Sequence, residues 1–127
     1  MLRFLKKLVG IWEPKEGVIY RPKVGELPLR VIPGAEYVQI YVQYSLDGVH
    51  WRPCTFRLKK GVYEIHAKDS YYGRTKKILL VEKKYVKAKK IKKTQKVYDG
   101  YSTAWWTDIY YRLLIKDPSK IRYLKRK

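Results

Sequence analysis

Apolar and polar residues alternate most regularly between Tyr37 and Tyr44. In an extended chain this alternation separates the side chains onto two faces. The face expected to be buried consists of Val38, Ile40, Val42 and Tyr44. A period of two residues is typical of a half-buried strand, with one face on the core and the other toward solvent.

Further apolar runs follow, and turn signals that contain glycine separate them. The runs are Trp51–Leu58, Val62–Ala67 and Ile78–Val81. The turn signals are Asp47-Gly48, Lys60-Gly61 and Asp99-Gly100. Short strands at this spacing predict an all-β fold, which we interpret as a single β-sandwich over residues 17–115.

The first twelve residues follow a helical period instead. Their apolar side chains fall in one half of a helical wheel, Arg3, Lys6 and Lys7 fall in the other half, and Pro14 ends the pattern. We therefore expect a short amphipathic helix at residues 1–12. Three uses of its apolar face are open: packing on the sandwich, contact with an anionic membrane surface, or insertion into a groove of a partner protein.

The C-terminal residues carry a helix start signal. Asp117 suits the N-cap position and Pro118 the first helical position. Ile121 and Leu124 give a thin apolar stripe, and the chain ends in cations, which the C-terminal end of a helix dipole favours. The pattern predicts a basic helix or tail over residues 117–127.

Between residues 24 and 82, predicted short strands and glycine-containing turns follow one another in an order that is found in a known family. The segment Gly25–Ala35 contains the turn Pro33-Gly34, and the alternating strand, the Asp47-Gly48 hairpin and a Gly61-Val-Tyr63 strand entry follow. In this order the segment resembles the PEGA family of small β-sandwich repeats in prokaryotic surface and signalling proteins. The acid that PEGA repeats carry between this Pro and Gly is absent here. The resemblance implies an Ig-like or PEGA-like sandwich that acts as a binding module and has no catalytic residue.

The charge balance narrows the class of partner. The chain has 127 residues, enough for one domain, and its 30 Lys and Arg exceed its 11 Asp and Glu, for a net charge of +19. A small soluble domain usually carries a net charge of magnitude about 2–8. An excess this large costs folding stability through self-repulsion. The surplus therefore predicts an acidic partner, while the hydrophobic fraction of 46% excludes a wholly disordered polycation.

Residue usage also bears on the source. The chain has no Asn, three Gln and one Met, against abundant Lys and Tyr. Few thermolabile side chains together with many Lys are typical of hyperthermophile proteins. We expect a thermophilic archaeon or an archaeal virus as the source. The single cysteine excludes an internal disulfide.

Residues that carry enzymatic chemistry are few. His50 and Cys54 are four positions apart, and a Cys–His pair can form an activated thiolate. The competing interpretation of Cys54 is a small buried hydrophobic residue. Structural zinc sites take four ligands with paired Cys or His spacing, which the sequence lacks. We predict that the protein is not an enzyme and needs no metal or cofactor.

Most of the surplus positive charge lies between Lys83 and Lys96 and in the C-terminal tail. A two-residue turn at Asp99-Gly100 sets Lys89 opposite Tyr110 and Lys93 opposite Trp106 in a hairpin. One face of this hairpin then presents Trp106 and Tyr110, either for base stacking or for burial against a protein neighbour or the terminal helices. The other face, which contains Val86, Ala88 and Leu113, is expected to pack on the core. The candidate nucleic-acid-binding residues are Lys83, Lys84, Lys87, Lys89, Lys90, Lys92, Lys93, Lys96, Arg112, Arg122, Lys125, Arg126 and Lys127.

These observations favour a basic, non-enzymatic binding module. The leading hypothesis is that it binds DNA or RNA, or belongs to a ribosome-associated or virion nucleoprotein particle, in the cytoplasm or the virion. One alternative is a structural, coat or surface interaction protein with protein partners in a larger assembly. The other is a membrane-peripheral protein that uses residues 1–12.

Overall fold

The described residues form eight strands in one sheet. The computed structural model describes residues 9–25 and 29–124, and the side chains of residues 9–11 are not included in that description. The strands are β1 (Val9–Ile11), β2 (Glu36–Ser45), β3 (Arg52–Lys59), β4 (Val62–Lys68), β5 (Thr75–Glu82), β6 (Val86–Tyr98), β7 (Thr103–Ile115) and β8 (Arg122–Leu124). Their order across the sheet is β1-β6-β7-β2-β3-β4-β5-β8. The predicted all-β class is confirmed.

Two kinds of pairing hold the sheet together. β6 and β7 form a long antiparallel hairpin, and β3, β4 and β5 form an antiparallel meander. β2 joins the two groups: it lies parallel to β7 along its whole length but pairs with β3 only at Gln43 and Tyr44. One half of the sheet is therefore β1, β6, β7 and β2, and the other is β3, β4, β5 and β8. Among the described strands, the two halves are joined only where Gln43 and Tyr44 pair with β3, and they diverge from there.

The segment before residue 24 occupies the gap where β2 and β3 diverge. Tyr20 exchanges two backbone hydrogen bonds with Phe56 of β3, at N–O distances of 2.9 and 3.3 Å. Lys23 exchanges two with Ile40 of β2, each at 2.8 Å. The segment thus satisfies backbone groups that the divergence would otherwise leave without partners.

One core receives side chains from both halves of the sheet. Val42, Phe56, Ile65 and Leu113 are each at most 1% exposed and belong to the same cluster. The predicted apolar face of β2 points inward, because Val42 and Tyr44 lie in this cluster and Ile40 packs against it. An aromatic group closes one side of the core, formed by Trp12, Tyr20, Phe56, Tyr63 and Tyr111.

The predicted N-terminal helix over residues 1–12 is wrong in its described part. Val9–Ile11 form β1, which pairs antiparallel with Lys89–Ile91 of β6. Residues 1–8 lie outside the described residues. An unpaired edge of β6 offers a row of backbone donors and acceptors, and pairing with it competes with helix formation in this short segment.

The predicted C-terminal helix over residues 117–127 is limited to a single turn. Asp117 caps that turn as expected, because its Oδ1 accepts a hydrogen bond from the Ser119 N–H at 3.1 Å. The 3₁₀ turn ends at Lys120, and Arg122–Leu124 pair with β5 as strand β8. Lys125, Arg126 and Lys127 lie outside the described residues. The edge of β5 provides backbone partners that an isolated short helix with two apolar residues does not have.

The register of the β6–β7 hairpin differs from the prediction by two residues. Lys89 lies opposite Arg112 and Lys93 opposite Asp108, because residues 99–102 form a four-residue loop between Tyr98 and Thr103. Oδ1 of Asp99 accepts hydrogen bonds from the N–H groups of Tyr101 and Ser102, each at 2.8 Å. A two-residue shift keeps every side chain on its predicted face. The assignment of Val86, Ala88 and Leu113 to the core face is confirmed, and Ile115 also lies in the core.

Candidate functional site

The outer face of β2 and β7 carries a group of large aromatic and polar side chains. Residues that alternate with the buried Val42 and Leu113 point away from the core. The parallel register places Tyr41 beside Tyr110 and Gln43 beside Arg112. Two strands that are distant in the sequence thus combine their outward residues into one surface.

The aromatic rings on this surface contact each other directly. The rings of Tyr41 and Tyr110 are stacked, with centroids 4.7 Å apart and planes 13° apart. Tyr71, from the loop between β4 and β5, meets Tyr41 edge to face at 5.3 Å between centroids. We call Tyr41, Trp51, Tyr71, Tyr110 and Arg112 the aromatic platform.

Arg112 connects the two sides of the aromatic platform. Its guanidinium carbon lies 4.7 Å from the ring centroid of Trp51 and 5.2 Å from that of Tyr110. Its Nε donates a hydrogen bond to Oε1 of Gln43 at 2.9 Å, and Nε2 of Gln43 donates to the Tyr71 hydroxyl at 2.7 Å. These bonds fix the guanidinium over the rings, an arrangement that cation–π attraction stabilises.

The hydroxyls of Tyr41 and Tyr110 remain protonated at neutral pH. Burial raises the pKa of Tyr41 and of Tyr110, and the nearby Asp108 carboxylate raises both further. A neutral phenol can donate one hydrogen bond and accept others. The platform therefore offers hydroxyl donors as well as ring surface.

Positive charge surrounds the aromatic platform on the β6 side. Nζ of Lys93 lies 5.8 Å from the Tyr110 ring centroid, and Lys87 and Lys89 are on the same outer face of the sheet. None of these three lysines, nor Arg112, takes part in the ion pairs found within residues 9–25 and 29–124. Their charge is therefore available to an external anion.

The structure distributes the remaining predicted site residues over other surfaces. Lys90, Lys92 and Lys96 point toward the core side of β6, where Nζ of Lys96 lies 5.3 Å from the centroid of the half-exposed Trp105 ring. Lys83 and Lys84 lie in the turn before β6 and pair with Glu13 and Glu82. Arg122 lies on β8, at the opposite end of the strand order from β6. The ten candidate cations among the described residues thus do not form a single patch, and Lys125, Arg126 and Lys127 lie outside those residues.

The two predicted stacking residues have different environments. Tyr110 belongs to the aromatic platform, where one face of its ring is covered by Tyr41. Trp106 is half-buried on the same outer face, and its Nε1 donates a hydrogen bond to Oδ1 of Asp108 at 2.9 Å. Tyr110 meets the expectation of an aromatic ring among cations more closely than Trp106 does.

Sequence reasoning missed Tyr41, Gln43, Trp51 and Tyr71. The alternation of Tyr and Gln on the outer face of β2 was visible, but it did not show which strand lies beside β2. The parallel pairing of β2 with β7, and the position of the 69–74 loop, depend on contacts between distant segments. No local pattern reports these contacts.

A second feature, which we call the basic cleft, adjoins the platform. It has a volume of about 640 Å³ and lies between residues 19–22, the outer face of β3 and β4, and the loop that contains Tyr71. Three cations line it, Arg21, Arg57 and Lys68, together with one carboxylate, Glu64. Tyr71 belongs to both features and joins them.

Glu64 is neutralised within the basic cleft. Its Oε1 accepts a hydrogen bond from Nη2 of Arg57 at 3.2 Å, and its Oε2 lies 2.6 Å from Nε2 of His66. The hydrogen bond with His66, followed by that with Arg57, lowers the pKa of Glu64 below its usual value. Arg21 and Lys68 take part in no ion pair within the described residues, so the cleft keeps a positive charge.

Neither His50 nor Cys54, the residues considered for enzymatic chemistry, lines the basic cleft. Cys54 is completely buried, and burial raises the pKa of its thiol. His50 is exposed, and its Nδ1 lies 2.7 Å from Oδ2 of Asp47. Across residues 9–25 and 29–124, no three His, Cys, Asp or Glu side chains are grouped closely enough to hold a metal ion.

Comparisons with known proteins add no family. A scan against protein-family models finds no match, and searches of curated proteins and of solved structures return no significant match. The PEGA resemblance therefore stays a prediction. No helix in the described part of the chain has the length and apolarity needed to cross a bilayer.

Proposed function

We propose that this chain is a non-enzymatic protein, built as a β-sandwich, whose aromatic platform and neighbouring lysines bind single-stranded nucleic acid. The observation that supports this most strongly is the combination of stacked rings with cations that have no acidic partner among the described residues. Single-strand binding proteins combine a positive groove along the backbone with aromatic side chains that stack on bases. The outer face of β6, β7 and β2 has both components.

The electrostatic part of the proposal rests on charge that the fold leaves unneutralised. Lys87, Lys89, Lys93 and Arg112 lie on one face, and acids of the described residues do not pair with them. Phosphate contacts by such cations release condensed counterions, which drives binding and makes it depend on salt. The net charge of +19 adds long-range attraction to any polyanion.

The stacking part rests on ring surface that cations now cover. Arg112 lies over Trp51 and Tyr110, and Lys93 lies over Tyr110. When a strand binds, its phosphates become partners for these cations, and the ring surface becomes available to bases. Stacking of one base on an aromatic side chain contributes about 1–3 kcal/mol.

The first experiment measures the affinity for a labelled single-stranded oligonucleotide at several salt concentrations. Neutralising about six phosphates gives a slope of log K against log salt near −4 on single strands. The double variant Lys89→Gln with Lys93→Gln should make this slope shallower by about 1.4. The matched control is Lys59→Gln with Lys116→Gln, two exposed lysines outside the outer face of β6. A salt-independent affinity would contradict the proposal.

The second experiment tests the aromatic contribution. Trp51→Leu should weaken single-strand binding by about 5-fold to 150-fold if one base stacks on this ring. Tyr101→Leu is the control, because Tyr101 is 94% exposed in the hairpin loop and lies away from the aromatic platform. Equal affinities of the two variants, with unchanged thermal melts, would rule out a stacking role for Trp51.

The composition supports a thermophilic archaeon or an archaeal virus as the source, with the protein in the cytoplasm or the virion.

Loss of partners after nuclease treatment of a pull-down from source cells would support the nucleic-acid proposal. Partners that remain at high salt after nuclease treatment would instead support a structural interaction protein. Binding to anionic vesicles in preference to oligonucleotides would support a membrane-peripheral protein.

A further inference from the structure

The basic cleft has the size and the wall chemistry of a small-molecule site. Its volume of about 640 Å³ lies within the range of about 300–1,000 Å³ typical of ligand pockets. Residues 19–22 and the 69–74 loop form its sides, and β3 and β4 form its base. It is separate from the aromatic platform and shares only Tyr71 with it.

The charge of the basic cleft selects for an anion. Glu64 is already bound by Arg57 and His66, so its carboxylate does not repel a ligand with its full charge. Arg21 is exposed, Lys68 is half-buried, and neither is paired in the described part of the chain. Oxygen atoms of a phosphate group are the partners that such Arg and Lys side chains bind best.

The aromatic side of the basic cleft selects for a planar group beside that anion. Tyr71 and Tyr72 line it on the side of the 69–74 loop. Because the Tyr71 hydroxyl accepts a hydrogen bond from Gln43, its own proton is free to bond to a ligand. The Tyr72 hydroxyl bonds to the backbone of Val24, which holds the loop against the N-terminal segment and closes the cleft at that side.

Tyr71 connects the basic cleft to the aromatic platform. Its ring packs on Tyr41 of the platform, and it also lines the cleft. We propose that the cleft binds a single nucleotide, with its phosphate on Arg21 and Lys68 and its base against Tyr71. This inference rests on the proposed function in one respect: the nucleotide belongs to the strand that crosses the aromatic platform.

The test uses small probes that can fill the basic cleft and, of the aromatic platform, contact Tyr71 alone. Titration calorimetry compares adenosine 5′-monophosphate with inorganic phosphate and with adenosine. The mononucleotide should bind at least ten-fold more tightly than either fragment, because only it contacts both the cations and the tyrosine. Equal affinities for the mononucleotide and for phosphate would overturn the assignment of the base to Tyr71.

The two histidines locate the probe. The chain contains only His50 and His66. His66 lines the basic cleft and His50 is exposed in the turn after β2, outside the lining of the cleft. In NMR spectra the ring signals of His66 should shift with added mononucleotide while those of His50 stay constant. A shift of both, or of neither, would overturn the site.

Variants separate this inference from the proposed function. Arg21→Gln with Lys68→Gln should weaken mononucleotide binding at least ten-fold, whereas the matched control Lys59→Gln with Lys116→Gln should leave it unchanged. If the mononucleotide binds as expected but oligonucleotides do not bind, the cleft assignment stands and the proposed function fails. If oligonucleotides bind and the mononucleotide does not, the inference fails and the proposed function stands.

Discussion

Cys54 is one residue whose chemistry the fold suppresses. Its side chain is completely buried between the two halves of the sheet, and burial raises the pKa of its thiol. The neutral thiol behaves as a small apolar group. The sequence could not distinguish this role from that of a nucleophile paired with His50, because the inward or outward direction of the side chain depends on the strand register.

The first prediction concerns the packing of Cys54. Cys54→Ser should destabilise the protein by about 1–3 kcal/mol more than the substitution of an apolar group of similar size, because a buried hydroxyl without a partner loses its hydration. Cys54→Val is the apolar comparison, and urea unfolding measures both variants. Equal stabilities would show that the site has a hydrogen-bond partner for the hydroxyl.

Asp99 is a second residue with an effect beyond its own position. Its carboxylate accepts hydrogen bonds from the N–H groups of Val31, Ser102 and Tyr101, and these bonds lower its pKa, with Val31 as the largest cause. The same carboxylate shapes the loop of the β6–β7 hairpin and binds the segment before β2. It therefore links two parts of the chain that are distant in sequence.

The second prediction follows from this lowered pKa. A carboxyl group with a folded pKa below its unfolded value stabilises the fold above the unfolded pKa, about 3.9 for Asp. That contribution is lost as the pH falls below about 4 and through the folded pKa. Urea unfolding at pH 5 and pH 3 should show this loss, and Asp99→Asn should reduce it. A variant with the same pH dependence as the native chain would contradict the assignment.

At the scale of single elements, the turn between β3 and β4 is the feature that sequence reasoning predicted best. Lys60 and Gly61 both adopt positive φ angles, of 52° and 76°. Two residues of this kind between directly paired strands form the type I′ turn that matches strand twist. The sequence signal was sufficient because the turn depends on two adjacent residues only.

The third prediction tests that turn. Gly61→Ala should destabilise the protein by about 1 kcal/mol or more, because Ala is strained at positive φ. Lys60→Asn should instead stabilise the protein, because Asn tolerates a positive φ angle better than Lys does. Thermal unfolding of the two variants measures the difference. A stabilising Gly61→Ala would show that the turn adopts another conformation in solution.

In the β6–β7 hairpin, the alternation of apolar and polar residues predicted the face of each side chain but not the register of the two strands. The faces follow from the period of two residues, so Val86 and Leu113 were assigned to the core correctly. The register follows from the loop, and the loop is shaped by the hydrogen bond between Asp99 and the distant Val31 as well as by its own residues. Local turn statistics contain no information about that partner.

Within each predicted terminal helix, described residues form a strand instead, and the reason is the same at both termini. A short strand pairs with the open edge of a longer strand in both cases: Val9–Ile11 with β6, and Arg122–Leu124 with β5. An amphipathic pattern shows which side chains can be buried together, but it does not show that an unpaired edge is available elsewhere in the fold. Backbone hydrogen bonding to such an edge outweighs weak helix propensity in short segments.

At the scale of the whole molecule, the candidate site depends on pairing between segments 69 residues apart, as for Gln43 and Arg112. The sequence supplied the outward Tyr and Gln of β2 and the cations of β6 and β7 as separate observations. Only the parallel alignment of β2 with β7 brings them together. A basic, aromatic surface that includes Tyr110 and Arg112 could therefore be predicted, but the contributions of Tyr41, Trp51 and Tyr71 could not.

The fourth prediction concerns the net charge of the whole chain. At +19, repulsion among cations destabilises the folded state, and salt screens this repulsion. Raising NaCl from low to moderate concentration should raise Tm by several degrees, since about 1 kcal/mol corresponds to about 4 °C for a domain of this size. Calorimetry measures the effect.

A variant of lower charge provides the control for that prediction. Lys59→Gln with Lys116→Gln removes two positive charges at exposed positions. Its Tm should be higher than that of the native chain at low salt and should rise less as salt is added. A Tm that falls with NaCl in both proteins would show that specific ion pairs matter more than general repulsion.

The parallel pairing of β2 with β7 has a consequence for the order of events during synthesis. Glu36–Ser45 leave the ribosome long before their partner Trp105–Leu114 is made. At about 5–20 residues per second, roughly 70 further residues take about 4–14 s to translate. The β3–β4–β5 meander can pair once Glu82 has been made, about halfway through that interval. Over the whole interval most of β2, with its apolar face of Val38, Ile40 and Val42, has no β7 beside it. The nascent chain is therefore most exposed to aggregation, and to capture by chaperones, at this one strand.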